Sequence, residues 1–206
     1  MTNNFEQIKE LLDFSQEGTF YYIQLMRRKK DNPDAKSVKV IKDMYVDNLE
    51  YLETRMDSVI EMCDYFNARA YIRLNRRSYE DVTYQLNEDL AKAMKSRQYK
   101  HVSRLFSKAC GRTNVEPNRI WVVDMDREDY PLTGNFFEKA VEATKDLIRN
   151  LQKEVRNKDY KLLADIPTPG GMHIITNPFN VKKYCDKTGA SSDDIKKDNP
   201  TVLYCP

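Results

Sequence analysis

The sequence is poor in the residues that build the commonest metal and nucleotide sites. Among 206 residues there are only two histidines, four cysteines and six glycines. No two cysteines form a CxxC pair, so zinc-finger spacing is excluded. The chain also lacks GxGxxG, GxxxxGK[ST] and GxSxG motifs. A Rossmann dinucleotide site, a P-loop and an α/β-hydrolase nucleophile therefore have no support.

Long hydrophobic runs are missing as well. No segment approaches the length of a membrane span, and the amphipathic start MTNNFEQIKELLDF does not resemble a signal peptide. Scattered cysteines are typical of a reducing compartment. We therefore expect an intracellular, cytoplasmic protein without a membrane partner. The formal charge of +2 does not by itself indicate nucleic-acid binding, so the placement of the charges matters.

The periodicity of apolar residues predicts alternating helices and strands. Helices are expected over 4–14, 36–65, 79–97, 101–110 and 135–156, and strands over 18–28, 67–78, 120–124, 161–166, 172–176 and 201–205. The polar segment 186–199 is expected to be a surface excursion. This order predicts one α+β domain over 1–206, with a mixed or mainly antiparallel sheet covered by helices. Residues 1–66 form its helix-rich part and residues 67–206 its sheet core.

The helix predicted over 36–65 carries apolar residues at every third or fourth position. They are Val38, Ile41, Tyr45, Leu49, Leu52, Met56, Val59 and Cys63. Such a stripe either packs on the sheet of the same chain or docks a partner protein. The second alternative would make the chain an interaction module, with the N-terminal helices as its contact surface.

The stretch IWVVDMDRED ends a hydrophobic strand in Asp124 and Asp126. Residues two apart on a strand leave the same face, roughly 7 Å apart along it. Carboxylates are ligands that Mg²⁺ and similar hard cations prefer, often together with substrate phosphates. The pair therefore predicts a site for Mg²⁺ or Mn²⁺. The alternative is a solvated strand end, since polar residues continue after Asp126.

The stretch IPTPGGMH places His173 directly after a tight turn with Gly170 and Gly171. We expect the glycines to supply positive φ and to leave backbone N–H groups open near the histidine, as in phosphate-contacting loops. The alternative is a partly buried histidine that makes a structural hydrogen bond.

The strand over 67–78 predicts a core face and a basic, aromatic face. Its second face carries Arg69, Tyr71, Arg73 and Asn75, and the strand continues into Arg76 and Arg77. Arginine donates to phosphates in pairs, and an exposed tyrosine can stack on a base. Arg69, Tyr71, Arg73 and Arg76 are therefore candidate nucleic-acid contacts. The alternative is a solvated face with ordinary ion pairs.

In their order along the chain, these features resemble the archaeo-eukaryotic primase superfamily, which includes the primase–polymerases of phages, plasmids and mobile elements. The resemblance covers about residues 67–206 and rests on the succession of VVDMD and GGMH. It implies an RNA-recognition-like sheet, Asp124 and Asp126 as metal ligands, and His173 as a contact to the phosphates of an incoming nucleotide. It also implies nucleotidyl transfer in DNA replication.

One part of the family's pattern is different. The strand that should end in a third acidic residue reads PTVLYCP, with Cys205 in that place. Asp198, Asp193 or Asp194 would substitute only if the fold brings one of them round. We therefore expect a protein that binds a nucleoside triphosphate, nucleic acid or both. It is either a metal-dependent nucleotidyltransferase or a catalytically inactive relative.

Overall fold

The computed structural model describes residues 1–114, 119–131, 134–151, 161–198 and 200–206. The chain divides into two compact units. The terminal unit comprises Met1–Leu11 and Asn118–Pro206, and the central unit comprises Leu12–Pro117. The division expected between residues 66 and 67 falls inside the central unit. The single domain over 1–206 stays a prediction.

In the central unit, strand β2 (Thr19–Arg27) pairs antiparallel with β3 (Lys39–Val46) on one side and β4 (Arg69–Ser78) on the other. Helix α2 (Leu49–Phe66) contacts all three strands. Its buried residues, Leu52, Met56, Val59 and Cys63, form one stripe at helical spacing. Helix α3 (Tyr79–Lys95), a 3-10 helix (Tyr99–Arg104) and α4 (Leu105–Cys110) complete the unit.

The long helix predicted over 36–65 is wrong in its first part. Residues Lys39–Val46 form β3, and α2 begins only after Asn48, whose side chain accepts a hydrogen bond from the Tyr51 N–H at 2.7 Å. The apolar residues at 38, 41 and 45 fit a helical period over a short window. Pairing with β2 decides the outcome, because it buries Met44 and Val46 on alternate positions.

In the terminal unit, the element order is β5 (Trp121–Asp126), α5 (Phe136–Leu151), β6 (Leu162–Thr168), β7 (Gly171–Thr176), α6 (Val181–Thr188) and β8 (Ile195–Lys196). The four strands form a sheet in the order β6-β7-β5-β8, antiparallel throughout. The unit also contains α1 (Phe5–Lys9) and an antiparallel pair made by β1 (Thr2–Asn3) and β9 (Thr201–Cys205).

Helices α5 and α6 pack on one face of this sheet. The shared core contains strand residues Val123, Met125 and Ile174 together with helix residues Phe137 and Tyr184. Because neighbouring strand residues point to opposite faces, Asp124, Asp126 and His173 lie on the face away from α5 and α6.

The predicted α+β class is confirmed, and the sheets are antiparallel. Several boundaries differ from the predicted ones. The first helix, α1, is shorter than the helix predicted over 4–14. Strand β5 continues through Asp126 instead of ending at Asp124. The segment 186–199, expected to be a polar surface excursion, contains the end of α6 and all of β8. The end of the helix predicted over 135–156 lies outside the described residues. In the part of the chain that the structure describes, no helix has the length and apolarity needed to cross a membrane.

Candidate functional site

Asp124 and His173 face each other across β5 and β7. The His173 Nε2 atom lies 3.3 Å from Asp124 Oδ1. The other ring nitrogen, Nδ1, lies 2.8 Å from the Thr201 hydroxyl. The side chain of His173 is 12% exposed and that of Asp124 is 35% exposed. The imidazole is therefore held from both sides, while the carboxylate is still reached by solvent.

Thr201 is the part of this site that sequence reasoning missed. It opens β9, it is fully buried, and its hydroxyl is the partner of His173 Nδ1. In the family's pattern the end of this strand supplies a third acid, and in this chain Cys205 occupies that place. The strand contributes instead through its first residue, a threonine with no pattern around it that marks a site.

Asp126 lies beside the glycine turn. It is the register partner of Gly171, the first residue of β7. A Cβ atom on Gly170 would lie 3.3 Å from Asp126 Oδ1. The Gly170 carbonyl also accepts a hydrogen bond from the Arg127 N–H at 2.7 Å. The turn between β6 and β7 is thus bonded to the end of β5, next to Asp126.

The expected reason for the glycines is wrong. Neither Gly170 nor Gly171 has a positive φ. Gly171 is required because a Cβ atom there would lie 1.9 Å from the Met125 carbonyl oxygen. Close approach of two strand backbones, rather than a left-handed turn, demands a residue without a side chain.

Asp124 and Asp126 lie on the same face of β5, and carboxylates are the ligand type that hard cations prefer. They do not amount to a full ligand set supplied by the protein. Among the described residues, no three His, Cys, Asp or Glu side chains are grouped so as to hold a metal ion.

Within the described ranges, none of Asp193, Asp194 and Asp198 completes such a group. The Asp194 side chain accepts a hydrogen bond from the Ser191 N–H. This bond is part of a capping box at the N-terminus of the 3-10 helix Ser192–Asp194. Burial, and then the negative charges of Asp129 and Asp194, raise the pKa of Tyr130. Asp193 belongs to the same 3-10 helix, and Asp198 follows β8 by two residues.

The basic face predicted for β4 is not open. Tyr71 is only 6% exposed, and its hydroxyl accepts a hydrogen bond from Arg28 Nη1 at 2.9 Å. Arg69 forms an ion pair with Asp31, and Arg76 forms one with Asp13 at 3.1 Å. The exposed tyrosine of the prediction is therefore wrong.

The other residues of that face are also integrated into the central unit. Arg73 is half-buried on β4 opposite Tyr22, and Asn75 is buried. Arg77 is fully buried, where Nε donates to the Cys110 carbonyl at 2.6 Å. A role of Arg69, Tyr71, Arg73 and Arg76 in nucleic-acid binding stays a prediction, made by a surface that is largely covered.

Comparisons with known proteins return no relatives. No protein-family model matches the chain, and neither a curated protein nor a solved structure is significantly similar to it.

Proposed function

We propose that the chain is a nucleotide- or nucleic-acid-binding protein of the primase–polymerase type, with a divalent-metal site at Asp124 and Asp126. The observation that carries this proposal is the facing of Asp124 and His173 on β5 and β7. These residues belong to two motifs, DMD and GGMH, that are far apart in the sequence. Their meeting on one sheet face is what a shared ligand site requires.

The architecture of the terminal unit supports the RNA-recognition-like part of the proposal. Its elements follow a β-α-β-β-α-β order, and its sheet places the first and third of these strands, β5 and β7, in the middle. RNA-recognition modules bind through such a four-stranded sheet. Asp124, Asp126 and His173 lie on the corresponding face, away from α5 and α6.

Asp124 and Asp126 are the residues that would hold Mg²⁺ or Mn²⁺. When bound, such an ion neutralises phosphate charge and orients a triphosphate. His173 keeps Asp124 in place through Nε2, and Thr201 fixes the ring through Nδ1. The resemblance assigns His173 a phosphate contact, which one of these two ring nitrogens would make in place of its present partner.

The site is proposed first to bind a nucleotide. Catalysis of nucleotidyl transfer would require more of it. Two-metal phosphoryl transfer requires enough carboxylates to hold both ions against the charge of the substrate. The described residues offer two aspartates on this face, and no third acid joins them. This favours a relative that binds nucleotide without efficient transfer.

The interaction-module alternative loses its main support. The helix on which it depended begins at Leu49, and the apolar stripe of α2 is buried within the central unit. A partner protein would therefore have no continuous apolar stripe on this helix to dock against.

Calorimetric titration of a nucleoside triphosphate in the presence of Mn²⁺ tests the proposal. We expect saturable binding to the unmodified chain, loss of that binding in Asp124→Asn, and weaker binding in His173→Ala. Asp165→Asn is the matched control, because Asp165 lies on the same sheet with the same 35% exposure but is paired with Lys145 at 2.7 Å.

Three outcomes would contradict the site assignment. They are absence of binding, equal binding by Asp124→Asn and the unmodified chain, and equal loss in Asp124→Asn and Asp165→Asn. If nucleotide binds as expected, a primer-synthesis assay then separates an active nucleotidyltransferase from an inactive relative.

A further inference from the structure

The central unit contains two neighbouring cavities that the candidate site does not use. The larger, about 750 Å³, lies along the outer strand β3 and reaches the 3-10 helix Tyr99–Arg104 and α4. The smaller, about 490 Å³, lies between α3 and the 3-10 helix Tyr99–Arg104. Arg104 lines both cavities, so they adjoin at this residue.

The walls of both cavities are rich in cations. Arg27, Lys36, Lys39, Lys42 and Arg104 line the larger one. Lys92, Arg104 and Lys108 line the smaller one, together with His101. Among the described residues, each cavity has a single acid in its lining, Asp43 in the first and Asp89 in the second.

Both acids are already engaged by the protein. The Asp43 carboxylate accepts hydrogen bonds from Tyr22 at 2.7 Å, Gln24 at 3.0 Å and Ser107 at 2.6 Å. Asp89 is buried and forms an ion pair with Arg112. Neither acid is an ion-pair partner of the lysines on the walls.

Most of the wall cations have no counter-charge in the protein. In the described part of the chain, Lys36, Lys39, Lys42, Arg104 and Lys108 form no ion pair. Lys92 approaches Glu88 at 3.7 Å, but both side chains are largely exposed, at 73% and 66%, so this pair contributes little. Like charges gathered on a concave surface repel each other and attract an anion.

We propose that these two cavities form one binding surface for the phosphodiester backbone of a single nucleic-acid strand, with Arg104 as the residue they share. Cations spread over two adjoining cavities fit a polymer with regularly spaced charges better than they fit one triphosphate. Arginine at the junction suits a phosphate, because its planar group donates two parallel hydrogen bonds. The inference rests on the proposed function for the class of ligand, but its residues are different ones.

The test is fluorescence anisotropy of a labelled oligothymidine strand titrated with the full-length chain in EDTA, at several salt concentrations. We compare the unmodified chain with Arg104→Glu and with the double variant Lys36→Glu, Lys39→Glu. All three side chains are exposed, so these changes leave the core intact. The control is Lys182→Glu with Lys183→Glu, an equal charge change at exposed positions of α6.

We expect Arg104→Glu to weaken strand binding about tenfold and the double variant to weaken it at least as much. The slope of log affinity against log salt should become shallower by about 0.7 for each phosphate that the variant no longer neutralises. The control variant should bind like the unmodified chain. Failure of the unmodified chain to bind, unchanged binding by Arg104→Glu, or equal weakening by the control would overturn the proposal.

Two further measurements separate this inference from neighbouring ones. Displacement of the strand by polyglutamate at equal charge concentration, with the same dependence on Arg104, would overturn it in favour of an acidic protein partner. Asp124→Asn should keep full strand binding in EDTA, and Arg104→Glu should keep Mn²⁺-linked nucleotide binding. Loss of the strand surface alone would therefore leave the proposed function standing, and loss of nucleotide binding alone would leave the strand surface standing.

Discussion

The two units each place an aspartate within a strand and surround it in opposite ways. In the central unit, Asp43 on β3 receives hydrogen bonds from a phenol, an amide and a hydroxyl, all of them neutral. In the terminal unit, Asp124 on β5 faces a histidine and remains 35% exposed. The first carboxylate accepts three hydrogen bonds from the fold. The second is placed where an ion or a substrate can reach it.

This difference separates a structural carboxylate from a candidate ligand. Asp43 on β3 is bonded to two other elements, because Tyr22 and Gln24 belong to β2 and Ser107 belongs to α4. Buried polar groups satisfied in this way hold packed elements in one arrangement. Asp124 connects instead to His173 and, through it, to Thr201, a chain that positions groups at a surface.

The largest expected effect concerns the backbone on which the terminal site is built. Gly171→Ala should lower the free energy of unfolding by about 3 kcal/mol, because the new Cβ atom would meet the Met125 carbonyl at 1.9 Å. Urea unfolding measures the change. Gly170→Ala is the control, since its Cβ atom would meet only the end of the Asp126 side chain, at 3.3 Å. Equal loss in both variants would contradict the close-approach explanation.

The next prediction tests the contrast between Asp43 and Asp124 directly. Asp43→Ala should cost about 2 kcal/mol of stability, since three donors lose their acceptor in a half-buried place, and it should leave Mn²⁺-linked nucleotide binding unchanged. Asp124→Ala should do the reverse, with a smaller loss of stability and no nucleotide binding. Chemical unfolding and calorimetry on both variants check this crossed pattern. The same ranking of the two variants in both measurements would refute it.

The hydrogen bond between Tyr22 and Asp43 should also affect how stability changes at alkaline pH. Burial, and then the hydrogen bond to Asp43, raise the pKa of Tyr22 above its ordinary value of 10.0. Above that pH the unfolded chain loses a proton that the folded chain keeps, so stability falls as pH rises. Tyr22→Phe should make this fall shallower by up to about 1.4 kcal/mol per pH unit.

Unfolding free energies measured between neutral and alkaline pH give the slope. Tyr65→Phe is the control, because Tyr65 is 83% exposed and has little to lose on unfolding. A slope that Tyr22→Phe leaves unchanged would show that other groups carry the alkaline response.

The smallest effect sharpens the description of the terminal site. Thr201→Val removes the hydroxyl that holds His173 Nδ1 and should cost about 1 kcal/mol, with weaker nucleotide binding. Thr176→Val should be neutral or slightly stabilising, because the buried Thr176 hydroxyl has no hydrogen-bond partner among the described residues. Thermal unfolding of the two variants gives the comparison. A Thr201→Val protein as stable as Thr176→Val would remove Thr201 from the site.

Sequence reasoning found elements wherever one strong pattern was available. The alternation in β4 and the periodic spacing in α3 predicted both elements closely. The prediction failed at β3, because its apolar residues fit both a helical and a strand period. Pairing with β2 makes this segment a strand. The prediction also failed on the exposure of β4, since alternation shows that two faces differ but does not reveal what covers the second one.

The candidate site was predictable in its members and not in its arrangement. Asp124, Asp126 and His173 stand out as polar residues next to apolar runs, and Gly170 and Gly171 as a turn. The role of Gly171 follows from the path of a second strand, which no local pattern contains. Thr201 and the cations of the central unit carry no motif, so only their neighbours in space identify them.

The sequence by itself therefore determined the α+β class and the candidate residues for a metal ion or a phosphate, because periodicity and side-chain chemistry are local properties. The tertiary structure alone decided which of these residues meet. Strand register places Asp124 opposite His173. Burial covers most of the predicted basic face of β4. Lysines from separate elements line the two cavities that share Arg104. These residues become neighbours through contacts between distant parts of the chain, such as strand pairing in a fixed register, and no local sequence pattern encodes such contacts.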